Sequence, residues 1–305
     1  LKKEFKIKNM KKILVFGESG QVARALHHHL REEAVFAGRN IADFMQPNEC
    51  VKLVHELKPE IIINAVAYTQ VDKAESEIEA AMQVNAHTPH QIALAAKEIG
   101  AILVHYSTDY VFDGAGDTPF TEDMPTAALN IYGKSKCLGE ELIASVQGKY
   151  LIFRTSWVYD EMGKNFFTTM LRLGAEKEQL KVVADQIGAP SYAPHLAVAT
   201  MQAIENALQQ AKFPSGIYHM CGGGETSWHG FAQAIFANYN LTNAKNGGLS
   251  LKIKECLPIP ASDYPTPAKR PYNSRLSCNK LANELSVILP HWQIGLDEAI
   301  AKFAN

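Results

Sequence analysis

Tyr132 and Lys136 stand four residues apart in Tyr132-Gly133-Lys134-Ser135-Lys136. On a helix that spacing puts a phenol and an ammonium on one face. An unperturbed tyrosine loses its proton near pH 10, too high for an efficient acid at neutral pH. A neighbouring lysine cation favours the phenolate and lowers that value. Upstream, Tyr106-Ser107-Thr108-Asp109-Tyr110-Val111-Phe112-Asp113-Gly114 follows the apolar run Ala101 to Tyr106. Thr108 therefore falls at the carboxyl end of an expected strand, where open parallel sheets bind ligands, and its hydroxyl can donate to a carbonyl. A Y-x-x-x-K pair alone is common by chance. With Thr108 ahead of it, and with the glycine turn described next, it points to proton delivery onto a carbonyl oxygen.

The first expected strand, Lys12 to Phe16, runs into Gly17-Glu18-Ser19-Gly20-Gln21-Val22-Ala23, a G-x-x-G-x-x-A turn that opens a helix. Gly17 permits the tight turn, and Gly20 lets the backbone approach a pyrophosphate. Ala23 lets the helix lie close on the sheet, and the N–H groups of Gln21 and Val22 lie in its first turn. The competing reading is a plain strand-to-helix turn; the strand-turn-helix context favours the dinucleotide site. At the end of the second strand an NAD site places Asp or Glu for the ribose hydroxyls, whereas this chain has Gly38-Arg39. A guanidinium there can bond a 2′-phosphate, so NADPH is the expected cofactor, with NADH also accepted. A solvated loop arginine is the alternative.

The elements that must position these residues can be read from period. Short apolar runs alternate with amphipathic stretches: a helix at 21–32, a strand at 34–37, a helix at 47–57, and a strand at 60–65. A long helix is expected over 75–99, then a strand at 101–106, a helix at 131–146 and a strand at 150–153. Such alternation means an α/β fold, a Rossmann-type doubly wound parallel sheet covered on both faces. After Trp157 the pattern loosens. Helices are expected near 166–174 and 196–210, and the prolines from Pro258 to Pro271 mark an irregular segment. The expected organisation is a dinucleotide-binding domain over 10–156, with later segments returning to it, and a smaller mixed substrate-binding domain mainly over 157–305.

Composition sets limits. The 305 residues carry 30 basic and 32 acidic side chains, a formal charge of −2, which gives no electrostatic case for nucleic acid or an anionic membrane. Five scattered cysteines, none in a C-x-x-C pair, argue against a disulfide framework and a zinc site, and fit a reducing, cytoplasmic setting. His27-His28-His29 are consecutive and on a helix cannot converge on one ion, so no metal is expected. Leu1 to Asn9 lack the apolar core of a signal peptide, and Met10 is an expected native start.

Taken together, these motifs resemble the extended short-chain dehydrogenase/reductase family and, within it, the dTDP-4-dehydrorhamnose reductases. Further carriers are Asn64-Ala65-Val66-Ala67-Tyr68-Thr69-Gln70-Val71-Asp72-Lys73-Ala74-Glu75, Phe153 to Tyr159, Asp185-Gln186 with Gly188-Ala189-Pro190, Tyr264 to Pro271, and Asn273 to Leu276. The resemblance runs from Met10 to the C-terminus. It implies Thr108, Tyr132 and Lys136 as the catalytic set, Ala65, Ala67 and Tyr68 along the cofactor, and Asp43-Phe44 at its adenine. Thr69, Val71, Thr108, Asp109, Tyr110 and Trp157 would surround a nucleotide-linked deoxysugar. The implied reaction is NADPH-dependent reduction of the 4-keto group of dTDP-4-dehydro-L-rhamnose to dTDP-L-rhamnose, a step toward cell-surface polysaccharide. Lys269 and Arg270 either meet the substrate diphosphate or form a solvated pair; Trp157 is either a substrate contact or core. Where some relatives bridge dimers through a glutamate-bound metal, this chain has Ala25 and Pro194, which cannot coordinate a hard cation, so a monomer or weak homodimer is expected. Two other readings stay open: a reductase or epimerase of another nucleotide sugar, and a non-catalytic regulatory subunit of the same fold.

Overall fold

The structure is a computed structural model that describes residues 13–245 and 250–303; Leu1 to Asn9 and Met10 lie outside the described residues. Five strands, β1 (Ile13–Phe16), β2 (Ala34–Ala37), β3 (Ile61–Asn64), β4 (Ile102–Thr108) and β5 (Lys149–Thr155), form a parallel sheet with a sixth, Gly216–His219. From the Gly216–His219 edge the order is sixth, β5, β4, β3, β1, β2, so the strand order reverses between β1 and β3. That reversal makes a crevice at the carboxyl ends of β1 and β3, where an open α/β sheet takes its ligand.

The near-continuous apolar strands are explained by burial on both faces. Ile13, Val15, Ile61, Ile63 and Val104 pack against α1 (Gln21–Leu30) and the helix Ala193–Leu208. Leu14, Ile62 and Leu103 face the other way, onto α2 (Pro47–Leu57) and the helices Thr88–Ile99 and Ile131–Ser145. A separate apolar core joins Phe167, Phe231 and Trp292 on the helices Phe166–Glu176, Trp228–Lys245 and Trp292–Phe303.

Two expectations are corrected. The helix predicted over 75–99 starts at Ile78 and widens into a π-helical turn at Gln83–His87 before Thr88–Ile99. Pro89 explains this: it has no N–H to offer the Asn85 carbonyl and would clash with it in an α-helical turn. The freed Asn85 carbonyl instead receives Gly139, where a Cβ would collide with it. The proline-rich tract is also less irregular than predicted, since Glu255–Ile259 pairs in parallel with Gln179–Val183. In a two-stranded sheet both strands are edges, and an edge tolerates Pro258.

Candidate active site

Gly17 has φ of +104°, a conformation open to glycine and strained for any side chain, which fixes the turn between β1 and α1. At Gly20 an added Cβ would meet only the Ala65 carbonyl oxygen, at 3.8 Å. Its missing side chain therefore serves the space above it more than the packing beneath. A cavity of 370 Å³ opens there, lined by Gly20, Gln21, Val22, Ala65, Ala67, Thr69, Ser107, Tyr132 and Lys136 among others. A second cavity of 530 Å³, lined by Arg39, Asp43, Phe44, Ala67, Tyr68 and Thr69, shares Ala67 and Thr69 with it. The two make one channel along the carboxyl edge of the sheet.

At one end of the channel, Arg39 is exposed and its Nε donates to Asp43 at 3.1 Å. Asp43 is held below the usual carboxylate range by the Met45 backbone N–H, with help from Arg39. The Tyr68 hydroxyl donates to Glu77 at 2.6 Å.

At the other end, Asn130 caps the helix Ile131–Ser145 by accepting from Gly133 N–H at 2.8 Å. A Cβ on Gly133 would run into the Tyr110 carbonyl, so the glycine lets this helix approach the segment after β4. Tyr110 meets Tyr132 edge-on, with ring centroids 5.5 Å apart. Thr108 accepts from Tyr110 N–H at 3.2 Å, and its hydroxyl also engages Tyr132. Asp109 is buried beside it, which pushes its carboxyl up to about 6 against hydrogen bonds from Ser274 and Thr108. Replacing Gly133 by alanine is expected to push Tyr132 and Lys136 off register and lower kcat on the order of 10²-fold. Steady-state kinetics beside a thermal melt would separate that loss from unfolding, and an unchanged kcat would contradict it.

The sequence-based view of Tyr132 needs correction. Burial pushes the phenol up to about 12, the Thr108 hydroxyl opposes this, and Asp109 adds to it. Lys136 is not among the groups that shift it; its Nζ donates to the Tyr106 carbonyl at 2.6 Å and lies 3.1 Å from His105 Nε2. Lys136 is itself fully buried, which brings it down to about 8 against the raising effect of Glu140.

Other expected residues fall elsewhere. Val71 begins a single helical turn, Val71–Ala74, and lines neither part of the channel. Trp157 has φ of +48° and stacks on Trp228 with ring centroids 3.6 Å apart. It thus backs a third cavity of 550 Å³ lined by Phe166, Lys181, Gln186, Trp228, Tyr264 and Arg270. Arg270 bonds Asp72 at 2.9 Å and reaches that cavity, whereas Lys269 is exposed. Sequence reasoning missed Phe166 and Trp228, whose aromatic type was visible but whose meeting required the fold. It also missed Ser107 and Thr155, which line the channel beside Tyr132 with hydroxyls that have no partner among the described residues.

Comparison with known proteins agrees over the whole described chain. Residues 10–305 match the family described as RmlD substrate binding domain. A dTDP-4-dehydrorhamnose reductase of Burkholderia thailandensis is 45% identical over 287 residues, 92% of this chain and 95% of that protein. One of Escherichia coli is 43% identical over 93% of this chain and 95% of that protein. The crystal structure of dTDP-4-dehydrorhamnose reductase from Bacillus anthracis in complex with NADP superposes with a TM-score of 0.87 at 34% identity, covering 96% of this chain and all of that one. With the channel, the glycine turn and the Tyr132–Lys136 helix in place, the chain belongs to the RmlD substrate-binding family, that of the dTDP-4-dehydrorhamnose reductases.

Proposed function

We propose that this chain reduces the 4-keto group of dTDP-4-dehydro-L-rhamnose with NADPH, giving dTDP-L-rhamnose. The observation that carries the reading is the continuous channel from Arg39 to Tyr132, with Thr108 against the phenol at its end. The cofactor fits on features of this chain: the positive-φ glycine at position 17, the open space over Gly20, and the unpartnered hydroxyls of Ser107 and Thr155. Gly17, Gly20, Gln21 and Val22 would hold the pyrophosphate; Ala65, Ala67 and Tyr68 would flank the cofactor, and Asp43 and Phe44 its adenine. Bound NADPH supplies the hydride.

The chain's own groups supply the rest. Thr108 polarises the keto oxygen, Tyr132 donates the proton to it, and Lys136 as ammonium would hold the nicotinamide ribose of the bound cofactor. Thr69, Asp109 and Tyr110 border the sugar, and the aromatic third cavity, with Trp157 behind Trp228 and Arg270 at its rim, takes the nucleotide. The dinucleotide is assigned to 10–156 with the returning strand Gly216–His219, and the nucleotide sugar mainly to 157–305.

Mixing the protein with NADPH and the dTDP-linked keto sugar tests the reading, with loss of reduced-nicotinamide absorbance as the expected result. Binding of NADPH without turnover would reject the substrate and keep the fold. A guanidinium at the end of β2 predicts that Arg39→Ala lowers the NADPH-over-NADH specificity ratio by about tenfold, the worth of one charge-assisted hydrogen bond. An unchanged ratio would assign Arg39 to solvent and to Asp43 alone. Ala25 and Pro194 offer no carboxylate to a bridging cation, and this supports a monomer or weak homodimer, which sedimentation with and without magnesium would read. Five free cysteines support a reducing, cytoplasmic setting.

A further inference from the structure

His105 is fully buried on β4, directly across from Asn64 on β3 in the strand register, and on the sheet face covered by the Lys136 helix. Three contacts form a chain. Val66 N–H donates to Asn64 Oδ1 at 3.0 Å, Asn64 Nδ2 meets His105 Nδ1 at 2.9 Å, and His105 Nε2 lies 3.1 Å from Lys136 Nζ. Lys136 Nζ also donates to the Tyr106 carbonyl.

The direction of each bond follows from the donor inventory. Val66 N–H can only donate, so it fixes Oδ1 of Asn64 toward itself. The amide nitrogen then faces His105, and Nδ1 must accept. A neutral imidazole that accepts at Nδ1 carries its proton on Nε2. That N–H points at Lys136 Nζ, where an ammonium has no lone pair to receive it and an amine does.

We propose that His105 is a positioning residue that ties the charge of Lys136 to the backbone of the segment Val66 to Tyr68. With Asn64 held as observed, the chain admits Lys136 as the amine. The ammonium requires the reverse: Nζ donates to Nε2, Nδ1–H donates to Asn64 Oδ1, and the Asn64 amide nitrogen faces Val66 N–H. Two donors then oppose one another, and the Val66 amide must shift. His105 stays neutral in both arrangements; its proton changes nitrogen, and the added proton resides on Lys136. Val66, Ala67 and Tyr68 line the channel, so the charge of Lys136 and the shape of the cofactor site move together.

The surroundings allow it. The charged group that acts on the pair from its surroundings is Glu140, one turn along the Lys136 helix, and its charge is matched by Arg154 on β5. Burial holds the imidazole well below its ordinary value, with Lys136 adding to this, so His105 does not compete for the proton. Lys136, at about 8, changes charge within the range in which the enzyme can be assayed.

The test is a nitrogen-15 NMR titration of the imidazoles in the free protein, with His105→Gln to assign the signal. From alkaline pH downward, His105 is expected to pass from the Nε2–H to the Nδ1–H tautomer with the same midpoint as the Lys136 side-chain nitrogen. A single tautomer between about pH 6 and 10, or an imidazolium, would overturn the proposal. Asn64→Asp supplies a second arm. A carboxylate accepts from both Val66 N–H and Nδ1–H, which locks His105 in the Nδ1–H form and keeps Lys136 charged. The basic limb of the kcat–pH profile then moves up by about one unit, and a folded variant with an unmoved limb would overturn the coupling. Only this kinetic arm rests on the catalytic role of Lys136. The tautomer is read without cofactor or substrate, so the two ideas fail separately.

Discussion

Tyr132→Phe is expected to lower kcat by about 10²–10⁴-fold, the range for losing a positioned general acid, with KM and NADPH binding nearly unchanged. The substitution removes one oxygen from a site otherwise fixed by packing. The ring keeps its edge-on contact with Tyr110, Gly133 keeps the helix close, and Asn130 keeps the cap. The phenol is pushed up to about 12, so it holds its proton throughout the neutral range and enters each turnover as a loaded acid. Single-turnover absorbance with a cofactor titration checks this. A loss of less than about threefold, far below the range for a positioned general acid, would move the acid to another group, with the unpartnered Ser107 hydroxyl the next candidate.

The parts of this fold written in local pattern could be read directly. A strand, a glycine turn and a helix in sequence fix the dinucleotide end, because Gly17 needs its φ whatever the rest of the chain does. The Tyr132–Lys136 face follows from helical period alone. What could not be read depends on partners distant in sequence. Lys136 meets His105 because β3 and β4 place Asn64 and His105 opposite each other, a register no local pattern states. The Trp157–Trp228 stack joins residues 71 positions apart and needs a left-handed backbone at Trp157. The π-helical turn was legible in principle, since Pro89 inside a helical period warns of it.

Glu140→Gln is expected to destabilise the fold by about 3–5 kcal/mol, the cost of breaking a buried ion pair from one side. Glu140 lies one turn beyond Lys136 and accepts two bonds from Arg154, from Nε at 2.9 Å and from Nη2 at 2.7 Å. Both side chains are almost wholly enclosed, 3% and 4% exposed, and the guanidinium also lies over the Phe112 ring at 5.0 Å. Glutamine keeps the volume and removes the charge, which leaves a guanidinium stranded between the sheet and the catalytic helix. The exposed pair Lys52–Glu56, at 3.7 Å, is the control; Glu56→Gln should cost less than about 0.5 kcal/mol. Urea unfolding of both variants reads the difference. The double variant Glu140→Gln with Arg154→Met should recover part of the loss, because the penalty comes from the uncompensated cation more than from the missing bond. If the double variant is as unstable as the two single losses added together, the pair acts through packing, and the charge argument fails.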